Sequence, residues 1–400
     1  MAQQPQMSPQ QVNAIVRQLI LRGGVLGNIY YPPSVDMWTQ LNPILPSAVG
    51  PGTVVTIQLR NVGLVKRLVI EVKATVTAGA GVGNGANLTP LGLANFFSNI
   101  TFVDLGNNTR INTTGWHLQL VSSVKRRRVF GAAYTSDTPH GYGNVNNRVM
   151  QAPITLSPGV ATELDLIVEI PFVKNNHDLR GAIFADVTNA VMQVQLTINP
   201  QMFVSNTADP TLAVYQSATA VLPSLSAVTI QANQNYLDQL PRNPQTAAPI
   251  LPALDLGTAY LLNNTSGGLP VVNQDNGFSF VNARSYESVA FVYDNNGVLN
   301  INASDLNYLA LTSANFTNIL RYDGRMAAIA ERDILGDDFP KGVRYLDFRH
   351  RPVNTDQYGN MQLVINPSSV RGSAATFLFG WEAYGIIGQV NAGGSLPMGS

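Results

Sequence analysis

The 400-residue chain contains no cysteine. That excludes disulfides, thiolate nucleophiles and zinc sites built on sulfur. Charge is also scarce. Lys, Arg, Asp and Glu make up 12% of residues, against about 25% in an ordinary soluble domain. The 24 basic and 24 acidic residues cancel. A strong basic field, the usual footprint of a nucleic-acid binder, is therefore missing. Disorder is excluded from the other side: 45% of residues are hydrophobic, and disordered chains are poorer in apolar groups and richer in charge. No run reads as a transmembrane helix. Ala74–Val103 carries no charge, but repeated Gly and Asn, with Pro90, keep it from being hydrophobic. The opening MAQQPQMSPQQ lacks the basic-then-apolar order of a signal peptide.

Amide and small residues take the place of charge: 38 Asn, 34 Gly and 24 Pro. A neutral, amide-rich surface suits burial against copies of itself, because interface centres are depleted in Lys, Glu and Asp. The length exceeds one ordinary core and suits two domains of roughly 150–200 residues each.

The first element is a predicted amphipathic helix. Ser8 is a suitable N-cap and Pro9 a suitable first helical residue. Val12, Ile15, Val16, Leu19 and Ile20 form one apolar stripe, with Arg17 and Arg22 as its cations, and Gly23-Gly24 ends it. After Pro32-Pro33 the texture becomes short alternating runs separated by Gly, Asn and Pro clusters. Predicted strands cover Val54–Leu59, Leu64–Val76, Asn99–Asp104, Thr162–Ile170 and Val191–Asn199. In the second half they cover Ala227–Ala232, Ser288–Asp294, Met361–Asn366 and Thr376–Tyr384. Arg325–Leu335 reads as a helix. The fold class is mainly β.

An internal repeat organises the chain. Asn99–Leu120 and Ser288–Leu311 each read as a strand ending in Phe-Val, an Asn-Asn turn, a short strand with Ile-Asn, a Thr or Ser cap and a helical start. Phe102 aligns with Phe291 and Ile111 with Ile301. Asp137–Gly141 then aligns with Asp338–Gly342, and Leu164–Val168 with Met361–Ile365. Three blocks in order, offset by about half the chain, indicate two tandem domains of one fold. Their length suits an eight-stranded jelly roll better than an immunoglobulin sandwich. The expected division is an N-terminal helix and arm over 1–30, a first jelly roll over 31–205 and a linker over 206–221. A second jelly roll then covers 222–390 and a tail 391–400.

Residues that carry chemistry are few. His117, His140, His177 and His350 form no metal-binding or catalytic spacing. Asp337-Asp338 sits in a turn, and Asp294–Gly297 resembles a calcium loop without its twelfth-position Glu. No catalytic, cofactor-binding or metal-ligating residue is expected. Lys125, Arg126, Arg127 and Arg128 form the one dense charge run. It reads as a contact patch for an acidic neighbour, a membrane or nucleic acid, or as a solvated helix end.

Several peptides resemble those of the tectivirus major capsid proteins: Asn235–Pro241, Ile250–Leu256, Thr114–Leu118, Asp305–Leu309, Asp338–Val343, Gln357–Asn360 and Val390–Gly393. They run in order over nearly the whole chain. Thr77–Leu91 and Lys125–Arg128 have no counterpart in that pattern. The resemblance implies a double jelly roll of the adenovirus-hexon lineage, and a virion protein assembled in the host cytoplasm. It implies a homotrimer that contacts neighbouring trimers, minor capsid proteins and an internal viral membrane, with no specific nucleic acid. It places the N-terminal helix beneath the barrels, facing that membrane. The alternative from composition alone is a carbohydrate- or receptor-binding tandem β-sandwich, a spike or lectin. A lectin would expose aromatics on loops, whereas Trp38, Trp116 and Trp381 all stand in apolar sequence contexts.

Overall fold

The computed structural model describes residues 35–42, 49–126, 150–174, 179–186, 191–240, 258–266, 271–282, 284–294, 306–314, 318–323, 342–350, 352–369 and 376–386, with single residues 245, 326 and 329. The N-terminal stripe from Val12 to Arg22, the partners Ile301 and Asp338–Lys341, and most of Arg325–Leu335 lie outside them.

In chain order the structure begins with β1 (Val35–Gln40), β2 (Val54–Gln58), β3 (Leu64–Thr77), β4 (Ala86–Leu88), β5 (Phe97–Val103) and β6 (Thr109–Thr113). Helix α1 (Gly115–Arg126) follows, then β7 (Met150–Gln151), β8 (Thr155–Leu156), β9 (Ala161–Pro171), β10 (Ile183–Phe184) and β11 (Gln193–Ile198). Next come β12 (Phe203–Val204), β13 (Tyr215–Ser217) and β14 (Ser224–Asp238). The second half holds β15 (Thr258–Ser266), β16 (Asn276–Ser279), β17 (Arg284–Asp294), β18 (Leu306–Ser313) and β19 (Leu320–Tyr322). It ends with β20 (Val343–Asp347), β21 (Val353–Asn354), β22 (Met361–Pro367) and β23 (Thr376–Ile386). Every strand predicted over a stated range falls on one of these, and the short strand expected at Ile301-Asn302 lies outside the described residues.

The long strands alternate as a sheet with one wet face requires. In β3, Leu68, Ile70, Val72, Ala74 and Val76 are buried, while Arg67, Glu71 and Lys73 point the other way. β9 does the same with Leu164, Leu166, Val168 and Ile170. These strands belong to a sheet ordered β1-β14-β3-β9-β7. It closes the first core against one half of a nine-stranded sheet, ordered β2-β11-β5-β6-β15-β23-β17-β20, with β21 also paired to β17.

The repeat is visible in that order. The first half of the large sheet reads β2-β11-β5 and the second β15-β23-β17, so in each an early strand is followed by a late one and then by one from between them. Facing them, β3 lies beside β9 in one half and β16 beside β22 in the other. Phe102 on β5 and Phe291 on β17 hold matching places, paired with Val194 of β11 and Phe379 of β23. Both phenyl rings are fully buried. In the first half the Asn-Asn turn is present: Asn107 takes the left-handed region at φ 59, and Asp104 Oδ1 accepts the amides of Gly106 and Asn108 at 2.9 Å, while its counterpart Asn295-Asn296 lies outside the described residues. One part of the repeat fails. The helix expected after Thr114 forms as α1, but its counterpart at Leu306 is strand β18, paired along β22.

The expected linker and second-half start also need correction. Tyr215–Ser217 is strand β13, paired with β4. Ser224–Asp238, assigned from sequence to the second unit, is β14, which runs antiparallel to β3 along its length. Its Val228, Ile230 and Ala232 lie in the first core. The sequence signal was the cluster of turn residues before Ala227. The same residues serve a return strand.

The second core is richer in aromatics. Phe278, Phe280, Tyr286, Phe291, Tyr293, Phe377, Phe379 and Trp381 meet there between β16-β22-β18-β19 and the second half of the large sheet. That half-sheet has no wet face. Alternate residues of β23 serve different neighbours: Phe377, Phe379 and Trp381 face the second core, while Gly380, Glu382 and Tyr384 face α1 and the first half.

At Gly380 the two halves pack tightly against each other. A Cβ there would stand 2.6 Å from the His117 ring on α1. Gly380→Ala is therefore expected to cost about 1–3 kcal/mol in denaturant unfolding, as overpacking does. A second change, His117→Ala, should recover part of that loss in a double-mutant cycle; purely additive costs would mean that the two do not pack against each other.

Candidate functional site: the buried seam between the halves

Helix α1 is buried almost all round: Trp116, Leu118, Leu120, Val121 and Val124 are inaccessible, and the polar His117, Gln119 and Ser123 are buried with them. It lies between β9 and the large sheet. Gln119 donates to the Ile167 carbonyl at 3.1 Å on one side, and His117 meets Gly380 on the other. Its last turn delivers Lys125 to the seam. There the ammonium pairs with the fully buried carboxylate of Glu382 on β23 and donates to the Tyr260 hydroxyl of β15 at 3.1 Å. Tyr260 donates in turn to Glu382 Oε1 at 2.9 Å, and Ser288 donates to Oε2 at 3.0 Å.

A second ion pair crosses the same seam. Lys174, just beyond β9, reaches Glu287 of β17 at 2.7 Å. A bulge makes this possible. The register between β17 and β23 passes from Tyr286–Ala383 to Ser288–Glu382, leaving Glu287 as the extra residue. Strict alternation would turn Ser288 toward the second core. The bulge lets Glu287 and Ser288 both serve the seam. Gly181, at φ +93, lets the first half approach β15: a Cβ there would meet the Phe172 carbonyl at 2.4 Å and Tyr260 Cβ at 2.9 Å.

The electrostatics follow from burial. Desolvation pushes the Glu382 carboxyl up, but Lys125 and the two hydroxyls outweigh it and hold it below the usual range. Glu287 moves the other way: burial raises it further than Lys174 lowers it. His117 is wholly buried, and desolvation drops its pKa to about 3, with Glu382 opposing only weakly. Thr113 Oγ1 lies 2.7 Å from His117 Nδ1, and Nε2 has no partner among the described residues. His117 is thus a neutral core residue.

Of the sequence-derived site residues, Lys125 is not part of a solvated patch. It is the half-buried partner of the fully buried Glu382. Arg126 ends α1, and Arg127 and Arg128 lie outside the described residues, as do the helix residues Val12, Ile15, Val16, Arg17, Leu19, Ile20 and Arg22. Trp116 and Trp381 are buried, but Trp38 on β1 is 49% exposed and stacks under Arg67, with 5.1 Å to the ring centroid. Sequence reading missed Lys174, Glu287 and Glu382. A Glu inside the apolar run Thr376–Tyr384 was the available signal. Among the described residues no group of three or more His, Asp and Glu side chains stands close enough to hold a metal ion.

The chain matches two family models, described as P3 major capsid protein N-terminal over residues 2–240 and P3 major capsid protein C-terminal over residues 257–396. It is 34% identical over 336 residues to the major capsid protein P3 of Enterobacteria phage PRD1, covering 83% of this chain and 84% of that one. Among solved structures it resembles the STIV MCP, with a TM-score of 0.62 and 8% identity over 88% of this chain and 97% of that one. It also resembles the Faustovirus major capsid protein, with a TM-score of 0.54 and 11% identity over 88% and 90%. These solved structures are double jelly-roll proteins, and the likeness to them is one of fold.

Two outcomes test the seam. Lys125→Met leaves Glu382 buried without its cation and is expected to cost about 3–5 kcal/mol in equilibrium unfolding. Lys125→Met with Glu382→Gln should be clearly less damaging than Lys125→Met alone. The His117 sign is also fixed. Its folded pKa lies below the ordinary value of 6.5, so the unfolded chain takes up a proton that the native chain refuses. Stability should fall as the pH drops from 6.5 toward 3, by at most about 1.4 kcal/mol per pH unit from this group. His117→Gln should flatten that limb in melting curves taken across the range.

Proposed function

The chain belongs to the P3 major capsid protein family and is a viral major capsid protein, and from that premise we propose that it builds its shell as a homotrimer. The observation that supports this reading is the strand order that recurs in the two halves of the large sheet. Two similar units per chain, in three chains, give six similar units about a true threefold. That is a pseudo-hexagonal tile, and one gene product then covers a flat facet. Two eight-stranded barrels per chain are the units of this tile. The low charge supports the same reading, because the sides of neighbouring barrels bury surface where unpaired charge is costly.

The shell encloses an internal membrane, and the segment 1–30 faces it from beneath the trimer. The stripe Val12, Ile15, Val16, Leu19 and Ile20 supports that placement. Five such side chains cannot be buried by a short helix alone, and Arg17 and Arg22 suit an anionic lipid surface. Contacts with minor capsid proteins and neighbouring trimers complete the assembly, which takes place in the host cytoplasm. The chain acts as a structural component and carries out no reaction.

Native mass spectrometry is expected to show three chains of 43.0 kDa as one species of about 129 kDa. A monomer persisting at micromolar concentration contradicts the proposal. Deleting residues 1–24 should leave the trimer intact but impair shells around the membrane. Normal shells from the deleted chain would remove the helix from assembly.

A further inference from the structure

We propose that a cleft beside the seam is a binding site for a small multivalent oxyanion of the phosphate class. The cleft has a volume of about 180 Å³ and lies where the start of β3, the end of β9 and α1 meet. Four cations line it: Lys66 and Arg67 from β3, Lys125 from α1 and Lys174 from beyond β9. Glu169 is the one carboxylate among the described residues of the lining, and Ser122 adds a hydroxyl from α1.

The cations have partners, but those partners stand mostly behind them. Lys125 and Lys174 are held by Glu382 and Glu287 in the seam, and Lys66 by Asp36 of β1 at 2.9 Å. None of these three carboxylates lines the cleft. The polar part of the lining is therefore mostly N–H, set beside Glu169 and the apolar Leu118, Val121, Pro171 and Val173. An ammonium has three donors and a guanidinium five. Lys66 and Lys174 each spend donors on one carboxylate, and Arg67 uses Nε on Asn235 and Nη1 on Glu169. The donors that remain need acceptors, and a tetrahedral oxyanion offers several at once.

Arg67 stands in a partly desolvated place: burial lowers its pKa, and Asp36 raises it again only in part. Size then narrows the ligand. Pockets for drug-sized molecules run from about 300 to 1,000 Å³, and this one is smaller. It suits a free phosphate with a few waters rather than a nucleotide. An apolar wall from Leu118 and Val121 keeps the local dielectric low, which strengthens each contact made there.

Trp38 supplies a built-in reporter. It is exposed, while Trp116 and Trp381 are buried, and it stacks under Arg67. Sodium phosphate, titrated against chloride at constant ionic strength, should raise the melting temperature of the full-length protein and shift Trp38 emission with one saturable midpoint in the millimolar range. Trp38→Phe should remove the emission change and keep the melting shift. Arg67→Gln should weaken binding by about tenfold, the loss of one charged hydrogen-bonding partner. Ser122→Glu touches none of the existing ion pairs and places a tethered carboxylate in the cleft. It should abolish the phosphate response while the protein remains folded without phosphate. The proposal is overturned if folded wild-type protein shows no saturable response. It is equally overturned if Ser122→Glu responds as the wild type does, or if only vesicles of anionic lipid, and never free phosphate, produce the shift.

Discussion

The second half of the large sheet has no solvent face, and most of the structure is arranged around that fact. Strands β15, β17, β20 and β23 carry one core on each side. Their side chains therefore cannot follow the usual division into apolar and wet. Both sets must be dry, and any polar group among them must find its partner inside the protein. Glu382 meets this demand with a lysine and two hydroxyls. The partners come from both halves, so satisfying the carboxylate also fixes how the halves sit against each other.

A buried ion pair is weak evidence for stability by itself, since two well-packed apolar residues often serve as well. Its better-attested use is to specify one arrangement over others. An apolar seam between two sheets tolerates small slides. One that pairs Lys125 with Glu382 and Lys174 with Glu287 does not, because a slide of one residue would strand a charge in a dry layer. The Glu287 bulge and the Gly380 and Gly181 contacts act in the same direction. A capsid protein must repeat one shape in every copy, so a seam with a single solution is useful even where its net energy is small.

Much of the fold was legible in sequence because alternation is a local signal. Leu64–Val76 and Thr162–Ile170 could be read as half-buried strands from their own residues, and the structure pairs them side by side. The repeat was legible for the same reason, through Phe102 and Phe291. Pairing was harder. Nothing local in Ser224–Asp238 says that it returns to β3, so the boundary was placed before it. The seam was least legible. Lys125 stood in a run of four cations and read as surface. Its partner lies far along the chain, in a strand whose apolar neighbours concealed the meaning of one acid.

The return of β14 has a consequence for synthesis. The ribosome delivers β3 long before β14, and domains tend to close in the order in which they emerge. Until residues 224–238 have left the exit tunnel, the fourteen-residue β3 has one flank without the strand that will cover it. An open flank of that length, rich in Leu, Ile and Val, invites pairing with other nascent chains. β1, which pairs with β14 and not with β3, cannot stand in. The first half thus becomes safe from its neighbours on the same messenger only when translation has begun to approach the second.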